Sequence, residues 1–212
     1  MTGDVRCIAA ILLICLAPLA VLADEAGEIE KIEEMPAAER IEAYQALIER
    51  YPDSGEVFLK LGNAYYDLGE GDKAVEQYHS AWKKSGSTRA LVNLTFVLIE
   101  LERTDEAGRM FKDAIKKRPK DPIVRAYYGD FLADGENEDQ AIRGAIDEYR
   151  YALYLDEQCV EAHFGLGVLF ARTGIYKEAI REWEKVIEID STHFLADLAS
   201  ENIQKAKFEA RH

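Results

Sequence analysis

Cysteine is scarce in this chain. Of its three, Cys7 and Cys15 fall within the first 15 residues, leaving Cys159 alone in the remainder. A disulfide framework inside one molecule is thereby excluded, and a lone thiol just ahead of a predicted helix reads as a packing residue. Histidine is equally thin: His79, His163, His193 and His212 show no metal-ligand spacing, so neither a metal nor any other cofactor is expected. No nucleophile stands with a base at catalytic spacing, so the chain is not expected to be an enzyme. Positive charge is in deficit, 26 Lys and Arg against 40 Asp and Glu for a net charge of −14. Such a field repels a phosphate backbone, so nucleic acid is not an expected partner. Proline is rare, and Pro36, Pro52, Pro119 and Pro122 all fall between predicted helices, where a missing N–H is harmless.

What is present begins with an apolar leader. Met1 to Arg6 carries one basic side chain, and Cys7 to Leu22 is unbroken apolar sequence. Val21-Leu22-Ala23 then places small residues ahead of Asp24-Glu25, the layout of a signal peptide over residues 1–23 cut after Ala23. The run contains Pro18 and is short beside the roughly 20 residues of a spanning helix. The alternative is an uncleaved inner-membrane anchor; the bulky Ile14 before Cys15 argues against a lipoprotein site. The expected location is the bacterial periplasm, with an anchored or a secreted form as alternatives, and a membrane is a partner only if the leader is retained.

The rest of the chain repeats itself. Ala74-Tyr78-Ala81, Ala107-Phe111-Ala114, Ala145-Tyr149-Ala152 and Ala179-Trp183-Val186 share offsets of 4 and 3, which put all three side chains on one helical face. Upstream of each lies a companion triplet: Leu61-Gly62-Tyr65, Leu94-Thr95-Leu98, Tyr128-Gly129-Leu132 and Leu166-Gly167-Phe170. The expectation is pairs of antiparallel helices in which the small residue of the first faces the alanine of the second, with the aromatic filling the space between hairpins. A single hairpin cannot bury its own apolar face, so neighbours must stack.

These triplets resemble the tetratricopeptide repeat, whose period is about 34 residues. The first alanines are spaced 33, 38 and 34 residues apart, and the fourth unit fills the pattern best. The resemblance implies an all-α chain, a right-handed alpha-alpha solenoid of about four helical hairpins with a capping helix at each end. The expected divisions are an acidic flexible linker over 24–36, an N-terminal capping helix over 37–54, repeats over 55–87, 88–121, 122–159 and 160–191, and a C-terminal capping helix over 192–212. Repeat three carries about four extra residues around Asp134-Gly135-Glu136-Asn137, which call for a longer loop or longer helices. Thr104 reads as an N-cap, with Asp105 and Glu106 in the first turn against the helix dipole.

In the family the first helices line a concave groove that binds other proteins. By register, the groove positions here are Leu59, Asn63, Tyr66, Arg89, Val92, Phe96, Phe164, Val168 and Arg172, with Asp67, Ile99, Glu100, Ala126 and Asp130 at equivalent places. Their apolar character implies a hydrophobic or amphipathic partner segment. Some relatives clamp a chaperone's C-terminal carboxylate with two asparagines and three basic residues. Asn63 and Asn93 match, but Leu59, Ile123 and Tyr127 replace the basic residues, so a clamp is not expected. Gly165-Leu166-Gly167 follows no strand and is not a phosphate loop, and the sequon Asn93-Leu94-Thr95 lies inside a predicted helix. The expected function is a protein–protein interaction scaffold for envelope-assembly components. The alternatives are a self-assembling homo-oligomer and a small-molecule binder or enzyme subunit using the groove.

Overall fold

The structure, a computed structural model, describes residues 24–135 and 138–211. The leader over 1–23, Glu136, Asn137 and His212 lie outside the described residues. The described chain is helical, with α1 over residues 24–33, α2 (Ala37–Arg50), α3 (Gly55–Asp67), α4 (Gly71–Ser85), α5 (Thr88–Glu100), α6 (Thr104–Lys117), α7 (Pro122–Ala133), α8 (Glu138–Leu155), α9 (Val160–Arg172), α10 (Tyr176–Ile189) and α11 (Phe194–Glu209). It divides into two compact units, Met1–Leu101 and Glu102–His212, so the boundary falls in the turn between the two helices of repeat two.

Helix ends follow from local chemistry. The Ser54 hydroxyl accepts from the Val57 N–H, and the Asp121 carboxylate accepts from Ile123 and Val124, with Pro122 opening α7 where no N–H is needed. Thr104 does not act as a cap. It is the first residue of α6, behind Arg103, with no side-chain capping bond. Asp105 and Glu106 do occupy the first turn. Gly69 and Gly174 close the first helices of repeats one and four at φ 74° and 77°, and the same place in repeat two holds Glu102 at φ 59°. A side chain in that left-handed region is strained by about 1–2 kcal/mol. Glu102→Gly is therefore expected to raise stability by about 0.5–1 kcal/mol after the extra entropy of glycine in the unfolded chain. A lowered urea midpoint would contradict the strain.

In the N-terminal unit α2, α3, α4 and α5 pack in sequence, each against the next. The expected flexible linker is instead α1. Its Ile29 and Ile32 are buried, and its acidic side chains find partners on later segments: Glu28 with Arg50, Glu33 with Lys60, Glu25 with Ser54, and Asp24 with the Tyr51 hydroxyl. Tertiary contacts of this kind override a composition that reads as disordered. α2 is thus preceded by a helix of its own rather than standing alone.

In the C-terminal unit α6 packs on α7, α7 on α8 and α9, α9 on α10 and α11, and α10 on α11. The extra residues of repeat three appear in α8, which has 18 residues where α4 has 15 and α10 has 14. One core cluster gathers Ala126, Ala145, Tyr149, Ala152, Cys159, Ala162, Leu166 and Leu169; a second joins Ala179, Trp183 and Val186 to Leu195, Ala199 and Ile203 of α11.

The second-helix triplets are buried throughout, whereas Tyr128, Leu132 and Phe170 of the first-helix triplets are half-buried, and the glycines lie closest to an aromatic ring. A Cβ on Gly62 would lie 2.6 Å from the Tyr78 ring, on Gly129 2.7 Å from the Tyr149 ring, and on Gly167 2.6 Å from Trp183. The nearest neighbour of each of these glycines is thus the aromatic ring. The aromatic also reaches onward, since Gly165 of the following hairpin is held just as closely against Tyr149.

Candidate functional site

Each unit carries its own recess, lined mainly by first helices. In the N-terminal unit a space of about 360 Å³ is bordered by Glu33, Arg40, Tyr44, Lys60, Asn63, Tyr66, Asp67, Tyr78, Asn93, Phe96 and Val97. Its polar floor is linked through one oxygen: the Tyr78 hydroxyl donates to Asn63 Oδ1 at 2.9 Å, and Asn93 Nδ2 donates to the same oxygen at 3.2 Å. Above it, Tyr66 and Phe96 meet edge to face at 6.1 Å between ring centres, 37% and 51% exposed. Large aromatics left open in pairs at a concavity are what a binding surface requires.

The recess of the C-terminal unit, about 310 Å³, has another character. Ala133, Phe164, Val168, Leu169, Phe194 and Leu195 give it apolar walls, and Tyr127, Asp130, Asp134, Glu161, Tyr149 and Arg172 supply its polar groups. The Tyr149 hydroxyl donates to Asp130 at 2.5 Å. Part of the Asp130 surface still faces solvent, but the walls of the recess crowd its carboxyl. That partial withdrawal from water raises the carboxyl to about 6, and the negative charges of Asp134 and Glu161 push the same way against the lowering effect of the Tyr149 bond. Arg172 donates to the Ala133 carbonyl at 2.8 Å and stands 3.8 Å from Asp134.

The structure thus brings Asn63, Tyr66 and Phe96 to one recess, and Phe164, Val168 and Arg172 to the other. Leu59 and Ala126 are corrections. At 1% and 0% exposure they belong to the cores and offer a ligand nothing. Arg89 lies outside the recess lining, exposed and paired in a fork with both oxygens of Glu56 at 2.9 Å. Val92 is half-buried beside it on α5. Sequence reasoning named Tyr127 only as a clamp position lacking its basic residue and missed Glu161 and Phe194, because register alone does not show which flanking side chains turn toward a concavity.

The remaining chemistry-bearing residues are structural. Cys159 sits in the core, where burial pushes its thiol up to about 12. His163 lies between the Glu182 carboxylate at 2.7 Å and the Glu157 carbonyl at 3.1 Å, tying α9 to α10, and His193 Nδ1 caps α11 by accepting from the Leu195 N–H. In the sequon, the Thr95 hydroxyl is buried and bonded to the Leu91 and Val92 carbonyls, and the half-buried Asn93 amide donates to Asn63 Oδ1. Among the described residues no cluster of ligating side chains could hold a metal, and no helix is long and apolar enough to cross a membrane.

Comparison with known proteins follows the same lines. The family model described as tetratricopeptide repeat matches residues 41–90, 97–154 and 142–193. No curated protein matches the chain. Among solved structures, the chain is similar to a thermophilic protein of this repeat class from Thermus thermophilus, at 16% identity and a TM-score of 0.58, covering 73% of this chain and 82% of that one. A tetratricopeptide repeat protein from Parabacteroides merdae gives 19% identity and a TM-score of 0.58, covering 87% of this chain and 73% of that one. MamA from Desulfovibrio magneticus gives 19% and 0.51, covering 81% and 98%. At such identities the likeness speaks to the fold alone.

Proposed function

The chain belongs to the tetratricopeptide repeat family, an all-α class of protein-interaction modules, and from that premise we propose that it is an interaction scaffold of the cell envelope that seats an apolar or amphipathic segment of a partner protein. The observation that carries this reading is the open aromatic pair Tyr66 and Phe96 at the recess of the N-terminal unit. Exposed aromatic area gains from being covered by an apolar side chain. The apolar leader supports a location outside the cytoplasm, in the periplasm, and the acidic surface agrees with a partner that is not nucleic acid.

The test is affinity capture from envelope extract with the wild-type chain and with the Tyr66→Ala/Phe96→Ala double variant, quantified by mass spectrometry. Because neither side chain belongs to the buried core, the variant is expected to keep its helical circular dichroism while recovery of the specific partner drops about tenfold, the scale of losing two aromatic anchors. Equal recovery from a folded variant would overturn the reading. Self-association is the second reading, favoured by Leu198 and Phe208 at 46% and 62% exposure on α11. Light scattering that gives the monomer mass at every concentration would dismiss it.

A further inference from the structure

We propose, resting on the interaction reading above, that the recess of the C-terminal unit is selective for a cationic–apolar peptide segment: a lysine or arginine head held among Asp130, Asp134 and Glu161 while a neighbouring aliphatic or aromatic side chain packs on Phe164, Val168 and Phe194. The charge balance of the lining carries the argument. Three carboxylates face one permanent cation, Arg172, and that guanidinium is already engaged by the Ala133 carbonyl and Asp134. His193, 3.9 Å from Glu161, adds a charge only when protonated. Asp130 receives one hydrogen bond, from the neutral Tyr149 hydroxyl to Oδ1, and among the described residues no protein group bonds its Oδ2. A carboxylate at the recess that no cation neutralises is a receptor for one by charge complementarity.

The apolar walls narrow the class further. A bare ammonium ion needs neither Phe194, 65% exposed, nor Val168, 41% exposed, nor a space of about 310 Å³. A peptide that pairs a basic with a hydrophobic side chain uses both halves. An anionic segment would meet the three carboxylates and the chain's net charge of −14.

A pH dependence follows. The groups facing Asp130 are Tyr127 and Asp134 from its own helix and the turn after it, Tyr149 from α8, and Glu161 and Arg172 from α9. The Asp130 carboxyl, raised to about 6 by its partial burial, is mostly charged at pH 7.5 and mostly protonated at pH 5. Affinity for a cation therefore falls as pH drops through about 6.

The experiment is fluorescence anisotropy with three labelled ten-residue peptides, alternating Lys-Leu, Glu-Leu and Lys-Ser, against the full chain. Lys-Leu is expected to bind at least about tenfold more tightly than the other two, the scale of one well-placed contact pair lost. Asp130→Asn, which keeps an acceptor for Tyr149, weakens Lys-Leu about fivefold and removes the loss on going from pH 7.5 to 5.5. Val168→Lys, a new cation at an exposed position in the wall, weakens it more than about tenfold. Asp147→Asn, the same charge change at an exposed site of α8 outside the recess, leaves binding unchanged. Equal binding of Glu-Leu, an effect of Asp147→Asn as large as that of Asp130→Asn, or displacement of the peptide by equimolar spermidine would each overturn the proposal. If Lys-Leu binds but responds to Tyr66→Ala/Phe96→Ala and not to Asp130→Asn, this inference fails and the interaction reading stands. If no peptide binds, the inference fails, and partner capture alone decides the broader reading.

Discussion

Tyr149→Ala is expected to destabilise the C-terminal unit by about 4 kcal/mol, in the range of a buried aromatic reduced to alanine. Three contacts converge on this ring. It is 2% exposed, it lies against Gly129 of α7 and Gly165 of α9 so closely that neither glycine could carry a Cβ, and its hydroxyl donates to Asp130 at 2.5 Å. The substitution therefore leaves a cavity bounded by two helix backbones, which cannot collapse into it without breaking their own hydrogen bonds. Tyr149→Phe keeps the ring and loses only the hydroxyl bond, so its cost is about 1 kcal/mol. In urea, with a slope near 2 kcal/mol/M, the alanine variant shifts the midpoint of the C-terminal unit down by about 2 M. Because stability in a repeat array is local and nearest-neighbour, hydrogen exchange should speed up first in α7, α8 and α9. A loss below about 1 kcal/mol would mean the ring is not the joint between those hairpins.

The ring's importance was half legible in the sequence. Spacing alone picked out the four second-helix triplets, and Ala74, Tyr78, Ala81, Ala107, Phe111, Ala114, Ala145, Tyr149, Ala152, Ala179, Trp183 and Val186 are all buried. Spacing also marked Gly62, Gly129 and Gly167 as contact points, because a helix interior accepts glycine's cost of about 1 kcal/mol mainly where something must come close. What it could not supply was the object that comes close, since one-dimensional periodicity fixes a face and not the rotamer of the residue opposite. α1 was illegible for another reason. Its acidic side chains are held by residues far along the chain, with Tyr51 and Lys60 each 27 residues beyond their partners Asp24 and Glu33, and Ser54 29 beyond Glu25. The groove was read by register, which placed Asn63, Tyr66, Phe96, Phe164, Val168 and Arg172 at the recesses but also named Leu59 and Ala126, both buried. Register cannot separate those sets, because a position beside the groove turns inward or outward with small changes in how neighbouring helices cross. Asp130 shows the same limit in chemistry: its charge is visible in the sequence, but its lack of a counter-charge exists only in the folded recess.

Gly167→Leu is expected to cost about 3 kcal/mol, although leucine is the better helix former by nearly 1 kcal/mol. A Cβ at this position would stand 2.6 Å from Cδ1 and 2.8 Å from Cε2 of Trp183, well inside contact distance. The indole cannot retreat. It is 3% exposed, is packed with Ala179, Val186, Leu195 and Ala199, and its Nε1 donates to the Phe164 carbonyl at 3.3 Å on the same helix that carries the glycine. The chain must either part α9 from α10 or eject the indole, and both expose apolar surface. The two causes separate in a double-mutant cycle. Trp183→Ala alone loses a buried aromatic, about 4 kcal/mol, but it also vacates the space that the introduced leucine would need. If the steric account holds, the Gly167→Leu/Trp183→Ala pair costs at least about 2 kcal/mol less than the sum of the single losses, measured by urea unfolding. Simple additivity would show that the leucine does its damage elsewhere, and a stable single variant with unchanged native tryptophan emission would show that α9 and α10 are not held by this contact at all.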